Sequence, residues 1–374
     1  MAMDKKRALL LGGTGAMGVC LQTLLADRFD VTVTTRKKRE STATATFVTG
    51  NAKDIDFLQD ILKEKWDAIL DFMVYSTEEF RKRIHLFLDA TDQYVFFSSA
   101  RVFADAGQTP ITEDSPRLLD TIKDNAYLAT DEYALAKARQ EDMLCNCGKN
   151  NWTIVRPTLT YNRNKLQLGA YEKENWLYRV VHGRSLVFSN DMLHVTCTMS
   201  HGDDVAKGIA SITGNPEALG QAYNIMAPES ITWSEVLEVY LQVLERRMGN
   251  RPNVVMTEKC TNLKISGSKY KLKYGRYFNR YYDSSKIRHV VDNTNWVTAN
   301  EGLASCLNEF LSSPVFGKID WRKEALIDRA AKERTPLSEI KGNYNKFTYI
   351  CYRYKLQSLY ALVEKIIKVR KKRK

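Results

Sequence analysis

The 374 residues, 44% of them apolar, are enough for a sizeable hydrophobic core, and 8 prolines and 19 glycines without a fixed repeat exclude collagen-like, low-complexity and solenoid architectures. No apolar run approaches the about 18 residues that cross a bilayer, and the opening residues hold only a short apolar stretch, Ala8 to Gly12, so no export signal is visible and a cytoplasmic protein is expected. The net charge of +12 is concentrated: from Val315 onward 17 Lys and Arg face 6 Asp and Glu, leaving 39 against 38 before it, so no nucleic-acid partner is expected for the main body.

Arg7 to Leu11 reads as a short buried strand. Gly12 to Gly18 is a glycine-rich turn, and Val19 to Asp27 is helical. Strands are expected at Val31 to Thr35, Phe47–Val48, Ala68 to Phe72, Tyr94 to Phe97 and Thr153 to Val155. Helices are expected at 54–64, 78–90 and Thr130 to Leu144. This alternation implies an α/β fold: a doubly wound parallel sheet of the Rossmann type, with helices on both faces and right-handed crossovers. After Pro157 the pattern weakens. The stretches 160–200 and 250–285, rich in Tyr, Arg, Lys and Asn, are assigned to a smaller substrate-binding lobe, with helices at 203–213, 233–248 and 300–312. Three blocks result: a dinucleotide-binding core at 1–157, a mixed region at 158–315 that completes the core and forms the substrate lobe, and a basic helical extension at 316–374.

Gly12, Gly13, Thr14, Gly15, Ala16, Met17 and Gly18 satisfy G-x-G-x-x-G between a strand and a helix. Missing Cβ atoms and the positive end of the helix dipole suit a pyrophosphate there. An NAD site would place Asp or Glu about 20 residues on. The second strand instead runs into Arg36-Lys37-Lys38-Arg39, and a guanidinium at Arg36 can pair with a 2′-phosphate. NADP(H) is therefore favoured, with NAD(H) as the alternative.

Tyr133 and Lys137 stand four apart in the long helix and so share a face. An ammonium near a phenol favours the phenolate and can also bond a cofactor ribose. Ser98-Ser99 follow the strand Tyr94 to Phe97 and would sit at its carboxyl end, where open α/β sheets bind ligands. Tyr127 has Asp131 where Lys would be needed. The five histidines show no metal-ligand spacing, so no metal is expected. Seven irregularly spaced cysteines, with Cys145 and Cys147 as C-x-C, read as reduced structural thiols.

The glycine turn, Phe96-Phe97-Ser98-Ser99-Ala100-Arg101-Val102-Phe103 and Tyr133-Ala-Leu-Ala-Lys137 with Glu141 resemble the extended short-chain dehydrogenase/reductases, in particular the NAD-dependent epimerase/dehydratase branch. Val155-Arg156-Pro157, Asp203-Asp204-Val205-Ala206 and Asp283-Ser-Ser-Lys286 fit the same pattern, over residues 1–313. The resemblance implies Ser99 as the catalytic hydroxyl, Tyr133 as acid/base and Lys137 as the group that lowers its pKa. Phe72 and Pro157, at strand ends, are expected to line the cofactor. Asn51 and Ala104 depart from the family pattern, at the adenine and in the loop after the serines. Ala100-Arg101 stand where dehydratases of this family carry Asp-Glu, which disfavours dehydration.

An epimerase or 4-keto reductase acting on a nucleotide sugar by reversible hydride transfer is thus the expected function, and the resemblance suggests a homodimer. A non-catalytic RNA-binding or regulatory protein of dinucleotide-binding fold, with a basic tail, is the alternative. Leu356, Leu359, Tyr360, Val363, Ile366 and Ile367 recur at helical spacing, and Lys365 to Lys374 includes seven basic residues. This helix is expected either to pack on the enzyme's own body or to meet a membrane surface or protein partner.

Overall fold

The computed structural model describes residues 5–263 and 269–372; residues 264–268 of the tyrosine-rich stretch and 373–374 of the basic terminus lie outside the described residues. The chain forms two compact units, the first from 1–162, 196–231 and 278–302, the second from 163–195, 232–277 and 303–374. The region 158–315, read as both completing the core and forming the lobe, is divided between the two units. The reason is topological: after six strands the chain leaves the sheet and returns to add a seventh.

The first unit is built on β1 (Lys6–Leu11), α1 (Ala16–Leu25), β2 (Phe29–Thr35), β3 (Thr46–Thr49), α2 (Ile55–Ile61), β4 (Trp66–Asp71), α3 (Thr77–Arg81), α4 (Ile84–Asp89), β5 (Thr91–Phe97), two one-turn helices α5 (Leu118–Thr121) and α6 (Asn125–Leu128), α7 (Tyr133–Cys145) and β6 (Trp152–Pro157). The sheet runs β3-β2-β1-β4-β5-β6 and ends with strand Gln221–Ile225, every pair parallel.

Alternate residues feed two cores. Leu10, Val33, Leu70, Val95 and Val155 join Leu21 and Leu25 of α1 and Val205 and Ile209 of helix Gly202–Ile212 on one face. Leu9, Leu11, Ile69, Tyr94, Phe96 and Ile154 meet Phe80, Phe87 and Leu144 on the other. Burial on both faces explains why Ala8 to Leu11 is continuously apolar, and each fully buried Leu or Ile there contributes roughly 1.5–3 kcal/mol. The winding reverses between β1 and β4, which opens a crevice at the carboxyl ends of these strands.

Strand Gln221–Ile225 went unread in the sequence because it pairs only with β6 and buries three residues, one of them Asn224. Helix Lys173–Val181 of the second unit was hidden differently: its buried face includes Lys173 and Arg179 beside Trp176, Leu177 and Val180, so apolar periodicity alone does not find it. Trp176 stacks on Tyr240 of helix Trp233–Met248 with centroids 4.6 Å apart. Helices Trp321–Ala331 and Asn343–Arg353 also belong to this unit, where Tyr178, Trp321, Ala325, Ile340 and Tyr349 form an apolar cluster.

Beneath that cluster Arg179, fully buried, meets Glu324 at 2.9 Å, Asp328 at 3.1 Å and Glu333 at 2.5 Å. Arg184 meets Glu339 at 2.7 Å. Burial, with Asp328 beside it, pushes Glu324 up to about 7 against the pull of Arg179 and Arg184. Among the described residues all seven cysteines are free, no three His, Cys, Asp or Glu side chains gather as a metal set, and no helix is long and apolar enough to cross a membrane.

Candidate active site

At the end of β1 the chain must turn sharply into α1, and its glycines meet three different demands. Gly12 adopts φ +77°, and a Cβ there would lie 2.7 Å from Met73 Sδ. A Cβ on Gly18 would strike the Gly13 carbonyl oxygen at 2.3 Å, so the first turn of α1 can rest on the loop only without a side chain. Gly15 faces open space. It is also the N-cap of α1, which has no side-chain cap and no acidic residue in its first turn. Gln22 Nε2 donates to Gly13 O at 2.8 Å and the Gly12 amide donates to Thr34 Oγ1 at 3.0 Å, fixing the loop from both sides.

Ala16 opens α1, and Met17 packs partly on the core below. Phe72, just past β4, bonds its amide to Leu11 O at 3.0 Å and lays its ring 4.0 Å from that of Phe97. Pro157 ends β6 opposite Ile225. Arg36 is exposed beyond β2 and has no side-chain partner among the described residues. Asn51 is spent on a local turn, accepting from the Lys53 amide at 3.2 Å.

The two serines after β5 divide their work. Ser98 is buried and donates to Glu141, which also takes Arg156 in a bidentate pair at 2.8 and 2.9 Å. That knot ties β5, β6 and α7 together. Ser99 caps the short turn Ala100–Val102 by accepting from the Arg101 amide at 3.2 Å, and its side chain acts to lower the pKa of the Tyr133 phenol.

Tyr133 is the first residue of α7, capped by Glu132, whose carboxylate accepts from the Ala134 amide at 2.9 Å and from Arg101 at 2.8 Å. Tyr127, buried, donates to the same carboxylate at 3.1 Å. Burial raises the Tyr133 phenol above its usual range; the Ser99 side chain and the Arg101 guanidinium, 5.7 Å from the ring, oppose it, and Glu132 reinforces it. The cation acting on the phenol is thus Arg101.

One turn along α7, Lys137 is buried with its amine 4.4 Å from the Phe96 ring centroid. Nζ has no hydrogen-bond partner among the described residues. Desolvation draws the amine down to about 8, while Asp71 and Glu141 hold it up. Asp71, at the end of β4, is itself pushed up to about 6 by burial; it accepts from Tyr94 Oη at 2.7 Å and from the Met73 amide at 2.9 Å. Sequence reasoning missed Asp71, Arg101 and Glu132. Tyr277 and Tyr282, in the tyrosine-rich stretch, are engaged by Asp191 and by the Ile111 bridge respectively.

These residues fit a dinucleotide. The open Gly15 and uncapped α1 suit a pyrophosphate, and a buried amine without a partner suits ribose hydroxyls. The chain belongs to the NAD dependent epimerase/dehydratase family, whose model matches residues 8–225. Among solved structures it is similar to epimerase Mth375 of Methanothermobacter thermautotrophicus, at 17% identity and TM-score 0.63, covering 83% of this chain and 94% of that one. A UDP-N-acetylglucosamine 4-epimerase of Methanobrevibacter ruminantium M1 gives 16% and 0.63, covering 83% and 99%. The dTDP-glucose 4,6-dehydratase DesIV of Streptomyces venezuelae, solved with NAD and TYD bound, gives 21% and 0.61, covering 82% and 97%. No curated protein matches the chain significantly.

Proposed function

We propose that this protein is an NAD(P)-dependent enzyme acting on a nucleotide-linked sugar, as an epimerase or 4-keto reductase. The observation that carries this reading is the pairing of a buried phenol at Tyr133, under the influence of Ser99, with an unpartnered buried amine at Lys137, one helical turn apart. A binding protein needs no such pair. The solved relatives act on UDP- and dTDP-linked sugars according to their names, which supports that substrate class.

Gly12 to Gly18 would hold the pyrophosphate, Lys137 a ribose, and Phe72 and Pro157 would line the nicotinamide end. A bound nicotinamide dinucleotide supplies reversible hydride exchange at a sugar carbon. Ser99 orients the reacting sugar oxygen. Tyr133 takes its proton on oxidation and returns it on reduction, and Arg101 favours the phenolate. Arg36 beyond β2 favours NADP(H), whereas the solved relatives whose names mention a dinucleotide carry NAD.

The decisive experiment releases the co-purifying dinucleotide for mass spectrometry and compares NAD(H) and NADP(H) affinities in wild type and Arg36→Ala. Exchangeable NADP(H), weakened by the substitution, marks a reductase. Retained NAD(H), indifferent to it, marks an epimerase that recycles its cofactor. Absence of binding to either dinucleotide would overturn the proposal.

A further inference from the structure

The last helix, Gln357–Lys372, has two apolar faces, and only one is used. On the inner face Tyr360 stacks on Phe347, bonds the Tyr344 hydroxyl at 3.0 Å and meets Tyr352 edge-on, which seats it against helix Asn343–Arg353. Glu364, the helix's one acidic residue, accepts from Tyr344. The chain reaches this helix through Lys355, left-handed at φ 62°, where the Leu356 amide bonds Cys351 O at 2.7 Å. That capped turn sets the helix's direction.

Leu359, Leu362 and Ile366 follow one another at helical spacing on a second face, 45%, 56% and 47% exposed, and Tyr354 and Leu356 continue the apolar surface. The described chain covers these side chains only in part. Lys355 and Lys365 are exposed along it, and the sequence adds Lys368, Arg370, Lys371, Lys372, Arg373 and Lys374. At the helix's inner side a cavity of about 350 Å³ is lined by Trp321, Tyr344 and Tyr360, with Lys318 and Arg322 exposed beside them. The helix is too short and too charged to span a bilayer.

We infer that this face docks the protein onto an anionic lipid bilayer, the leucine stripe entering the boundary between headgroups and acyl chains while the surrounding lysines and arginines meet the lipid phosphates. Charge complementarity selects this occupant. A second copy of the chain would bring its own terminal positive charge against this one, and a neutral apolar partner would leave the cations unpaired. An apolar stripe flanked by basic residues, with its acid turned inward, gains from acyl contact and from phosphate attraction together. The inference does not depend on the nucleotide site.

Co-sedimentation of the full-length protein with vesicles of 30% phosphatidylglycerol in phosphatidylcholine, and with pure phosphatidylcholine, tests it. Binding is expected to the anionic vesicles, weakened about tenfold or more by 0.5 M salt, by Leu362→Gln/Ile366→Gln, and separately by Lys355→Glu/Lys365→Glu. All these positions are exposed, so unchanged circular dichroism and melting serve as the folding control. Equal binding to neutral vesicles, no binding to anionic ones, or a dimer in light scattering that Leu362→Gln/Ile366→Gln dissolves would each overturn it.

Discussion

Ser98 and Ser99 are neighbours with opposite dependencies, and their substitution separates folding from chemistry. Ser98→Ala leaves the buried Glu141 carboxylate one donor short and is expected to cost about 1–3 kcal/mol in urea denaturation with little change in the pH profile of turnover. Ser99→Ala is expected to leave stability nearly unchanged and to lower kcat, as is Tyr133→Phe, the latter by about 10²–10⁴-fold while dinucleotide affinity persists. Undiminished turnover in Tyr133→Phe would remove the acid/base role. Asp71 makes the pH prediction. Its folded pKa of about 6 lies above the ordinary 3.8, so its contribution to stability is full below that lower value and is lost as pH rises through about 6. Asp71→Asn should therefore melt higher than wild type at pH 7.5, with the gap closing as pH falls toward 4. Removing that carboxylate also lowers Lys137 below its present value of about 8, moving the alkaline limb of kcat/KM to lower pH. The glycine turn and the spacing of Tyr133 to Lys137 were legible because each is local: a strand end, or one turn of helix. Asp71 was not, since its raised pKa comes from complete burial, set by strands and a helix distant in sequence, against which Tyr94 and Lys137 pull it down.

Among elements, helix Trp321–Ala331 shows how polar burial hides structure from a sequence reader. The parallel strands and α7 stand out by apolar runs and turn residues. Glu324 and Asp328, by contrast, look like a solvated face until Arg179 is placed against them. Helix Lys173–Val181 therefore escaped detection, and Trp321–Ala331 and Asn343–Arg353 were read only as parts of one helical extension, whereas the final helix showed its apolar spacing plainly. Arg179→Met should leave several carboxylates buried without their cation and cost about 3–5 kcal/mol in thermal or urea unfolding. A loss below about 1 kcal/mol would mean that water reaches the cluster.

For the whole molecule, the distinction lies within the block read as one basic extension. Residues 316–353 supply Trp321, Ala325, Ile340 and Tyr349 to an apolar cluster and pair Arg179 and Arg184, whereas Gln357–Lys372 packs by one face only. A chain ended after Lys355 is expected to fold and turn over soluble substrate at the full-length rate. One ended after Ser313 should be recovered insoluble, a contrast that expression and gel filtration would show directly.

The late seventh strand also bears on synthesis. When β6 emerges from the ribosome, six strands are available, but the partner for its free edge, Gln221–Ile225, follows only after helix Gly202–Ile212 has been made. At about 5–20 residues per second that edge stays open for roughly 3–13 s. An exposed parallel edge of Trp152, Thr153, Ile154 and Val155 is a template for a neighbouring nascent chain. Yield on expression should therefore respond to chaperone supply and to growth temperature more than the stability of the finished protein would suggest.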